Sequence, residues 1–188
     1  MKVYIIRHGE STNNLKGLWT GWVDAELTQK GYDDAEKVRE IIKGVKFDKV
    51  FSSDLNRAVK TAETALPNCK YQTSPLLREI HLGNLENTPI KSLTEKQKQI
   101  IEINGYKSFG GETFDEFRER ILEFRKQLEK LDCESVAIFC HGGWLRYFLF
   151  EIIQTRLTST AIQCNNCNVG IFEFKDQNWS LHSWINLI

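Results

Sequence analysis

The sequence predicts an α/β fold: a three-layer sandwich with a mainly parallel central sheet, helices on both faces and an antiparallel C-terminal edge. Short apolar runs alternate with helix-like segments as far as residue 153, the pattern of a parallel sheet covered by helices. Beyond that point two apolar runs flank the polar residues 175–178, which predicts an antiparallel hairpin. The chain has 188 residues and no linker, repeat or composition break, so one domain over residues 1–188 is expected.

The first part of the chain holds two predicted strands, each followed by a helix. The apolar runs at residues 3–6 and 47–51 have the length and composition of buried strands. Thr28 is expected to cap a helix that runs to about Lys43. Asp54 is expected to cap the next helix, whose small inner residues predict close packing on the sheet and which ends before the next proline.

The middle of the chain is less regular. Residues 68–87 show only a weak strand near Tyr71, and long irregular segments in compact domains are often functional. Residues 93–103 are expected to form a surface helix, because lysine and glutamine dominate them. Thr113 opens a capping-box sequence, and the apolar residues Phe117, Ile121, Phe124 and Leu128 then mark a helix that packs inward.

The last part of the chain completes the sheet. The apolar run at residues 136–140 predicts a buried strand, and residues 143–153 predict the helix that follows it. Residues 168–174 and 179–185 are the two strands of the closing hairpin.

Composition argues against several classes of function. The 25 basic residues balance 25 acidic ones, so no net charge attracts nucleic acid or a membrane surface, and a small-molecule partner is expected. The apolar start is too short for a signal peptide and no run reaches the length of a membrane span, which predicts a cytoplasmic protein. Cys164 and Cys167 have metal-like spacing, but no second Cys or His pair accompanies them, so no metal site is expected.

Residues that can bind an anion or act as a nucleophile follow three of the predicted strands. Arg7-His8-Gly9-Glu10 follows the first strand, Ser52 to Ala58 with Arg57 follows the second, and His141-Gly142-Gly143 follows the strand at 136–140. The carboxyl ends of parallel strands meet at one edge of the sheet, where ligands bind. Arginine is a permanently charged, planar ligand for phosphate, unprotonated histidine is a nucleophile, and a helix N-terminus attracts anions. These segments therefore predict a ligand site at this edge with groups that can bind an anion and a group that can attack.

The motifs resemble those of the histidine phosphatase superfamily, the phosphoglycerate mutase-like enzymes, over nearly the whole chain. The matching segments, in chain order, are Arg7-His8-Gly9-Glu10-Ser11-Thr12 with Asn14, Thr20-Gly21-Trp22, the Arg57 segment, Glu79, Gly110-Gly111-Glu112 and His141-Gly142-Gly143. One departure is Leu85-Glu86-Asn87, where phosphatases of the family commonly have Trp-Glu-Gly.

The resemblance implies the roles of the site residues. His8 is expected to become transiently phosphorylated, and Glu79 falls where the family places its proton donor. Arg7, Arg57 and His141 are expected to hold the phosphoryl group. The remaining substrate-binding positions that we expect are Asn14, Thr20, Gly21 and Gly142. No metal ion or other cofactor is expected.

The leading hypothesis is a metal-independent phosphomonoesterase for a small metabolite, such as an alpha-ribazole phosphatase or a broad-specificity phosphatase. The alternatives are a cofactor-dependent phosphoglycerate mutase and a non-catalytic phospho-ligand-binding module. The mutases have a longer segment between the proton donor and the second histidine, a tyrosine where this chain has Leu82, and usually His-Gly-Asn where it has His141-Gly142-Gly143. The substrate and the oligomeric state stay open, a homodimer being one alternative.

Two interpretations of the tryptophans also stay open. Trp19, Trp22 and Trp144 could line a substrate ring, or they could belong to the core, which is the simpler explanation.

Overall fold

The computed structural model describes residues 1–155 and 161–187, and its strands form one six-stranded sheet. The strands are β1 (Lys2–Arg7), β2 (Lys49–Ser52), β3 (Gln72–Thr73), β4 (Ser135–Cys140), β5 (Val169–Lys175) and β6 (Asn178–Ile185). The helices are α1 (Thr12–Leu15), α2 (Gln29–Ile41), α3 (Asn56–Ala65), α4 (Glu95–Asn104), α5 (Phe114–Leu128) and α6 (Gly142–Ile153).

The sheet has the order β3-β2-β4-β1-β5-β6. Its first four strands run parallel, whereas β5 is antiparallel to β1 and β6 is antiparallel to β5. The predicted fold class is therefore confirmed, including the antiparallel edge at the C-terminal end.

Strand register brings three strand ends together. Arg7 at the end of β1 pairs with Cys140 at the end of β4, and Ser52 at the end of β2 pairs with Phe139. The residues that follow these strands consequently emerge side by side on one edge of the sheet.

Helices cover both faces of the sheet because successive side chains of a strand point to opposite faces. Ile5 of β1 belongs to the apolar cluster under α5 and α6, which includes Phe117 and Trp144. The next residue, Ile6, belongs to the cluster under α2 and α3, where Ala35 and Ala62 allow close packing. No helix of the described residues is long and apolar enough to cross a membrane.

Two of the three expected helix caps are confirmed. The hydroxyl groups of Thr28 and Thr113 accept bonds from the first turns of α2 and α5, and Thr113 forms the predicted capping box with Glu116.

The expectation for Asp54 was wrong. Helix α3 begins at Asn56 after Leu55, without a side-chain cap, while the Asp54 carboxylate binds the Arg78 guanidinium through two hydrogen bonds of 2.7 and 2.5 Å. A two-pronged, charge-assisted pair is stronger than one cap bond, so the carboxylate faces the arginine instead of the helix.

Candidate active site

Both motif histidines lie at the carboxyl edge of the sheet. His8 directly follows β1, and His141 lies between β4 and the first residue of α6. Their ring centroids are 5.1 Å apart, and both side chains are buried. The sequence placed these residues at two strand ends, and the register of β1 with β4 brings the ends together.

The hydrogen bond of His8 determines which ring nitrogen carries the proton. His8 Nδ1 lies 2.7 Å from the carbonyl oxygen of Gly9, and the N–H group of Gly9 is held in turn by Thr61 Oγ1 at 2.9 Å. A carbonyl oxygen only accepts hydrogen bonds, so Nδ1 carries the proton and Nε2 carries the lone pair. Burial and the charges of Arg57 and Arg7 lower the pKa of His8 well below its usual value, which keeps the ring neutral.

Arg57 places its positive charge beside the unprotonated nitrogen of His8. Its Nε donates to His8 Nε2 at 3.2 Å, and its two Nη atoms donate to the carbonyls of Val23 and Gly21 at 2.7 Å each. Burial lowers the pKa of Arg57 to about 10, so the guanidinium is still charged at neutral pH. Arg57 thereby ties the segment around Gly21 to the site.

Arg7 lies against the start of α6. Its Nη1 donates to the Cys164 carbonyl, and its Nε has no hydrogen-bond partner among the described residues. A Cβ atom on Gly142 would lie 3.1 Å from Arg7 Nε, tighter than an ordinary contact, so the glycine gives the guanidinium room. Burial lowers the pKa of Arg7.

His141 is oriented by a serine. Its Nε2 lies 2.9 Å from Ser53 Oγ, which also accepts a bond from the N–H group of Leu55 at 3.3 Å. Within the described part of the chain, Nδ1 of His141 has no partner. Burial, with the charge of Arg57 next in importance, lowers the pKa of His141 well below its usual value.

Glu79 comes from the irregular segment between β3 and α4, yet its carboxylate lies at the N-terminus of α6. Oε2 accepts from the N–H group of Gly143 at 2.9 Å, and Oε1 accepts from the N–H group of Ile80 at 3.0 Å. The carboxylate lies near both guanidinium groups, and its negative charge opposes the lowering of the pKa of Arg7 and of Arg57 by burial.

Hydrogen bonds connect Asn14 and Gly21, two other predicted substrate-binding residues, to this centre. Asn14 Oδ1 accepts bonds from the Ser11 N–H group and from Asn166 Nδ2, so its own Nδ2 is the group left to donate. Gly21 has a φ of 53°, in the left-handed region that glycine favours, and its carbonyl faces Arg57. The Thr20 hydroxyl donates a long bond, 3.5 Å, to the Leu18 carbonyl.

Three residues of the site were not identified from the sequence. Ser53 and Gly143 stood inside quoted motifs, but their contacts with His141 and Glu79 depend on the tertiary structure. Asn166 belongs to a distant loop, and its Nδ2 lies 3.1 Å from the carbonyls of His8 and Gly9. Its position between two cysteines in the sequence gave no signal of this contact.

Trp22 and Trp144 make contacts within the protein. Trp144 is fully buried, and Trp22 stacks on His81 with ring centroids 4.6 Å apart while the Arg78 guanidinium lies 4.7 Å from the Trp22 ring. Trp22 Nε1 donates to the carbonyl of Glu79 at 2.6 Å. These contacts favour a structural role for Trp22 and Trp144 over a substrate wall.

The unusual Leu85-Glu86-Asn87 segment supports the same region. Glu86 Oε1 accepts from the N–H groups of Trp22 and Leu82, at 2.8 and 3.2 Å. Asn87 has a φ of 64°, a conformation that asparagine tolerates better than most residues other than glycine. An asparagine can therefore make this turn.

Known proteins resemble this chain over nearly its full length. The model of the family "Histidine phosphatase superfamily (branch 1)" matches residues 3–187. A metal-independent phosphoserine phosphatase of Arabidopsis thaliana is 31% identical, covering 97% of this chain and 80% of that protein. A probable phosphoglycerate mutase GpmB of Salmonella paratyphi A is 28% identical, covering 98% of this chain and 90% of that protein.

A solved structure shows the same fold. The structure of a putative alpha-ribazole-5'-P phosphatase from Escherichia coli superimposes with a TM-score of 0.86, covering 99% of this chain and 96% of that chain. At 24% identity this similarity supports the fold alone. The family match, in contrast, extends over the motifs that supply both histidines, both arginines and Glu79. The chain therefore belongs to the histidine phosphatase superfamily, branch 1.

Proposed function

We propose that the protein is a metal-independent phosphomonoesterase that hydrolyses a small phosphorylated metabolite through a phosphohistidine on His8. One observation carries the proposal: the Gly9 carbonyl holds the proton on His8 Nδ1, which leaves Nε2 as a neutral nucleophile 3.2 Å from the Arg57 guanidinium. A nucleophile beside a fixed positive charge suits the attack on a phosphate ester.

In the proposed first step, His8 Nε2 attacks phosphorus in line with the ester oxygen. The N–P bond forms while the P–O bond breaks, and Glu79 gives its proton to the departing oxygen. In the second step a water molecule attacks the phosphohistidine, Glu79 takes a proton from that water, and the N–P bond breaks to release phosphate. Nδ1 keeps its proton throughout and donates it in a hydrogen bond to the Gly9 carbonyl.

Positively charged and neutral N–H donors of the site would hold the phosphoryl oxygens. Arg7 and Arg57 supply charged N–H donors, His141 supplies Nδ1, and the first N–H groups of α6 supply the positive end of a helix. These groups stabilise charge that spreads over the phosphoryl oxygens in the transition state, which is the main catalytic requirement of phosphoryl transfer.

Gly143 favours hydrolysis over the mutase alternative. A Cβ atom at this position would lie 2.9 Å from the carboxyl carbon of Glu79 and closer still to Oε1. The asparagine that mutases usually carry here would require the Glu79 carboxylate to move from its place in this chain. The relative named as a phosphoserine phosphatase supports hydrolysis, while the one named as a probable phosphoglycerate mutase keeps the alternative in the test.

The proposal is tested with a panel of phosphomonoesters that includes phosphoserine, alpha-ribazole phosphate, sugar phosphates and phosphoglycerates, ranked by kcat/KM. We expect phosphate release from at least one small ester, and His8→Ala should abolish it. His182→Ala is the control, because His182 is exposed on β6. Quenching a reaction with labelled substrate in alkaline detergent should leave labelled phosphate on His8, which acid treatment should then release.

Two outcomes would overturn the proposal. Isomerisation of phosphoglycerate in the presence of bisphosphoglycerate, faster than hydrolysis of any ester, identifies a mutase. Binding of vanadate without turnover of any ester identifies a non-catalytic phospho-ligand-binding module.

A further inference from the structure

The segment that carries Glu79 is held by one guanidinium group. Arg120 of α5 donates from Nη1 to the carbonyls of Leu76 and Arg78, at 3.1 and 2.9 Å, and from Nη2 to the carbonyl of Glu79 at 3.1 Å. Residues 76–82 form no strand, so no neighbouring strand accounts for their backbone hydrogen bonds, and the Arg120 guanidinium bonds three of their carbonyl groups instead.

Glu112 fixes Arg120 and the far side of the same segment. Its carboxylate accepts from Arg120 Nε at 2.9 Å and from Nη2 at 2.8 Å, in the two-pronged geometry that makes such pairs strong. Glu112 Oε2 also accepts from the N–H group of His81 at 2.8 Å, and the Glu112 N–H group donates to the His81 carbonyl at 2.9 Å. The ion pair thus binds the backbone on both sides of Glu79.

The pair stands on a rigid part of the molecule. Phe117 and Ile121, on either side of Arg120 in α5, are fully buried in the core, and Thr113 caps the helix. The side chains of Arg120 and Glu112 are themselves only 13% and 16% exposed, so solvent screens their attraction little.

We propose that the Glu112–Arg120 ion pair positions Glu79 for proton transfer to the leaving group. The inference rests on the proposed function, in which Glu79 is the acid. Arg120 touches only the backbone of the Glu79 segment in the described contacts, so it is a positioning residue. It acts by holding the Glu79 main chain at the distance from which the carboxylate reaches the Gly143 N–H group.

The effect should depend on the leaving group. An error of about 1 Å in the placement of a catalytic group costs on the order of 10²-fold in rate. Esters of alcohols need the proton from Glu79, whereas 4-nitrophenyl phosphate releases a stable anion and needs it much less. A merely structural role for the ion pair would lower the two rates by the same factor.

The test compares single-turnover phosphorylation of His8 in Arg120→Met with the wild type, using an alkyl phosphate and 4-nitrophenyl phosphate. We expect a loss on the order of 10²-fold with the alkyl ester and of about ten-fold or less with the aryl ester. Arg118→Met is the matched control, because Arg118 lies in the same helix and forms a two-pronged pair with Glu151, away from Glu79. The control should react at the wild-type rates.

A double variant shows whether Arg120 acts through Glu79. In the Glu79→Gln background, Arg120→Met should cost little more, because residues that act as one unit are not additive. If Arg120→Met fails to fold, as judged by circular dichroism, Arg120→Lys decides the question, since it keeps the charge but loses the fork.

Equal losses on both esters, or full additivity with Glu79→Gln, would overturn the positioning role. The proposed function fails in a different way: the wild type then shows no phosphohistidine on His8, or Glu79→Gln itself shows no dependence on the leaving group.

Discussion

Replacing Gly143 by alanine should move the Glu79 carboxylate without harming the fold. The new Cβ atom would lie 2.9 Å from Glu79 Cδ and 3.1 Å from Oε2, whereas ordinary contacts begin at 3.4 Å. The carboxyl carbon must therefore move by at least about 0.5 Å, and Oε1 farther. The atoms in the way are the end of a flexible side chain, so the side chain moves and the helix stays.

The expected cost falls on the chemistry. A displacement that approaches 1 Å costs on the order of 10²-fold when the group takes part in the reaction, so kcat/KM for an alkyl phosphate should fall by about 10- to 100-fold. Stability should not fall, because alanine is up to about 1 kcal/mol more favourable than glycine in a helix. Loss of the bond from the Gly143 N–H group to Oε2 offsets part of this gain.

The assay combines thermal unfolding with the pre-steady-state burst on an alkyl and an aryl phosphate. Gly143→Ala should have a Tm equal to or above that of the wild type, a strongly reduced burst rate with the alkyl ester and a nearly unchanged one with the aryl ester. A variant with the wild-type rate on the alkyl ester would refute the reasoning, since the carboxylate would then work equally well from a displaced position.

Three further predictions concern the phosphate site. Ser53→Ala removes the only described partner of His141 Nε2, so kcat/KM should fall and the free energy of unfolding should drop by about 1–3 kcal/mol. Ser52→Ala is the control that should keep kcat/KM, because Ser52 is equally buried but its hydroxyl donates to a backbone carbonyl. Arg57→Lys keeps the charge but loses the fork, so inhibition by vanadate should weaken and kcat/KM should fall on the order of 10²-fold. The pKa values of His8 and His141 are lowered on folding, so below about pH 7 the unfolded histidines bind protons that the folded ones do not. The free energy of unfolding should therefore fall as the pH drops through about 6.5, by up to about 1.4 kcal/mol per pH unit for each histidine. Denaturant titrations should show a shallower fall in His141→Gln.

Much of the fold follows from local patterns in the sequence. The apolar runs that form β1 and β4, and the caps at Thr28 and Thr113, involve residues close together in the chain. Periodicity and capping depend on residues only a few positions apart in the chain, so they can be identified without a structure. Asp54 shows the limit of this reasoning, because a distant arginine competed for the same carboxylate.

The sequence by itself determined that two histidines and two arginines follow strands of one parallel sheet, and hence that they meet at one edge. Only the tertiary structure decided which nitrogen of His8 is unprotonated, that Ser53 orients His141, and that Asn166 and Arg120 support the site. Asn166 binds the backbone of His8 across 158 positions, and Arg120 binds that of Glu79 across 41. The geometry of such bonds depends on how separate elements pack, and no local pattern encodes it.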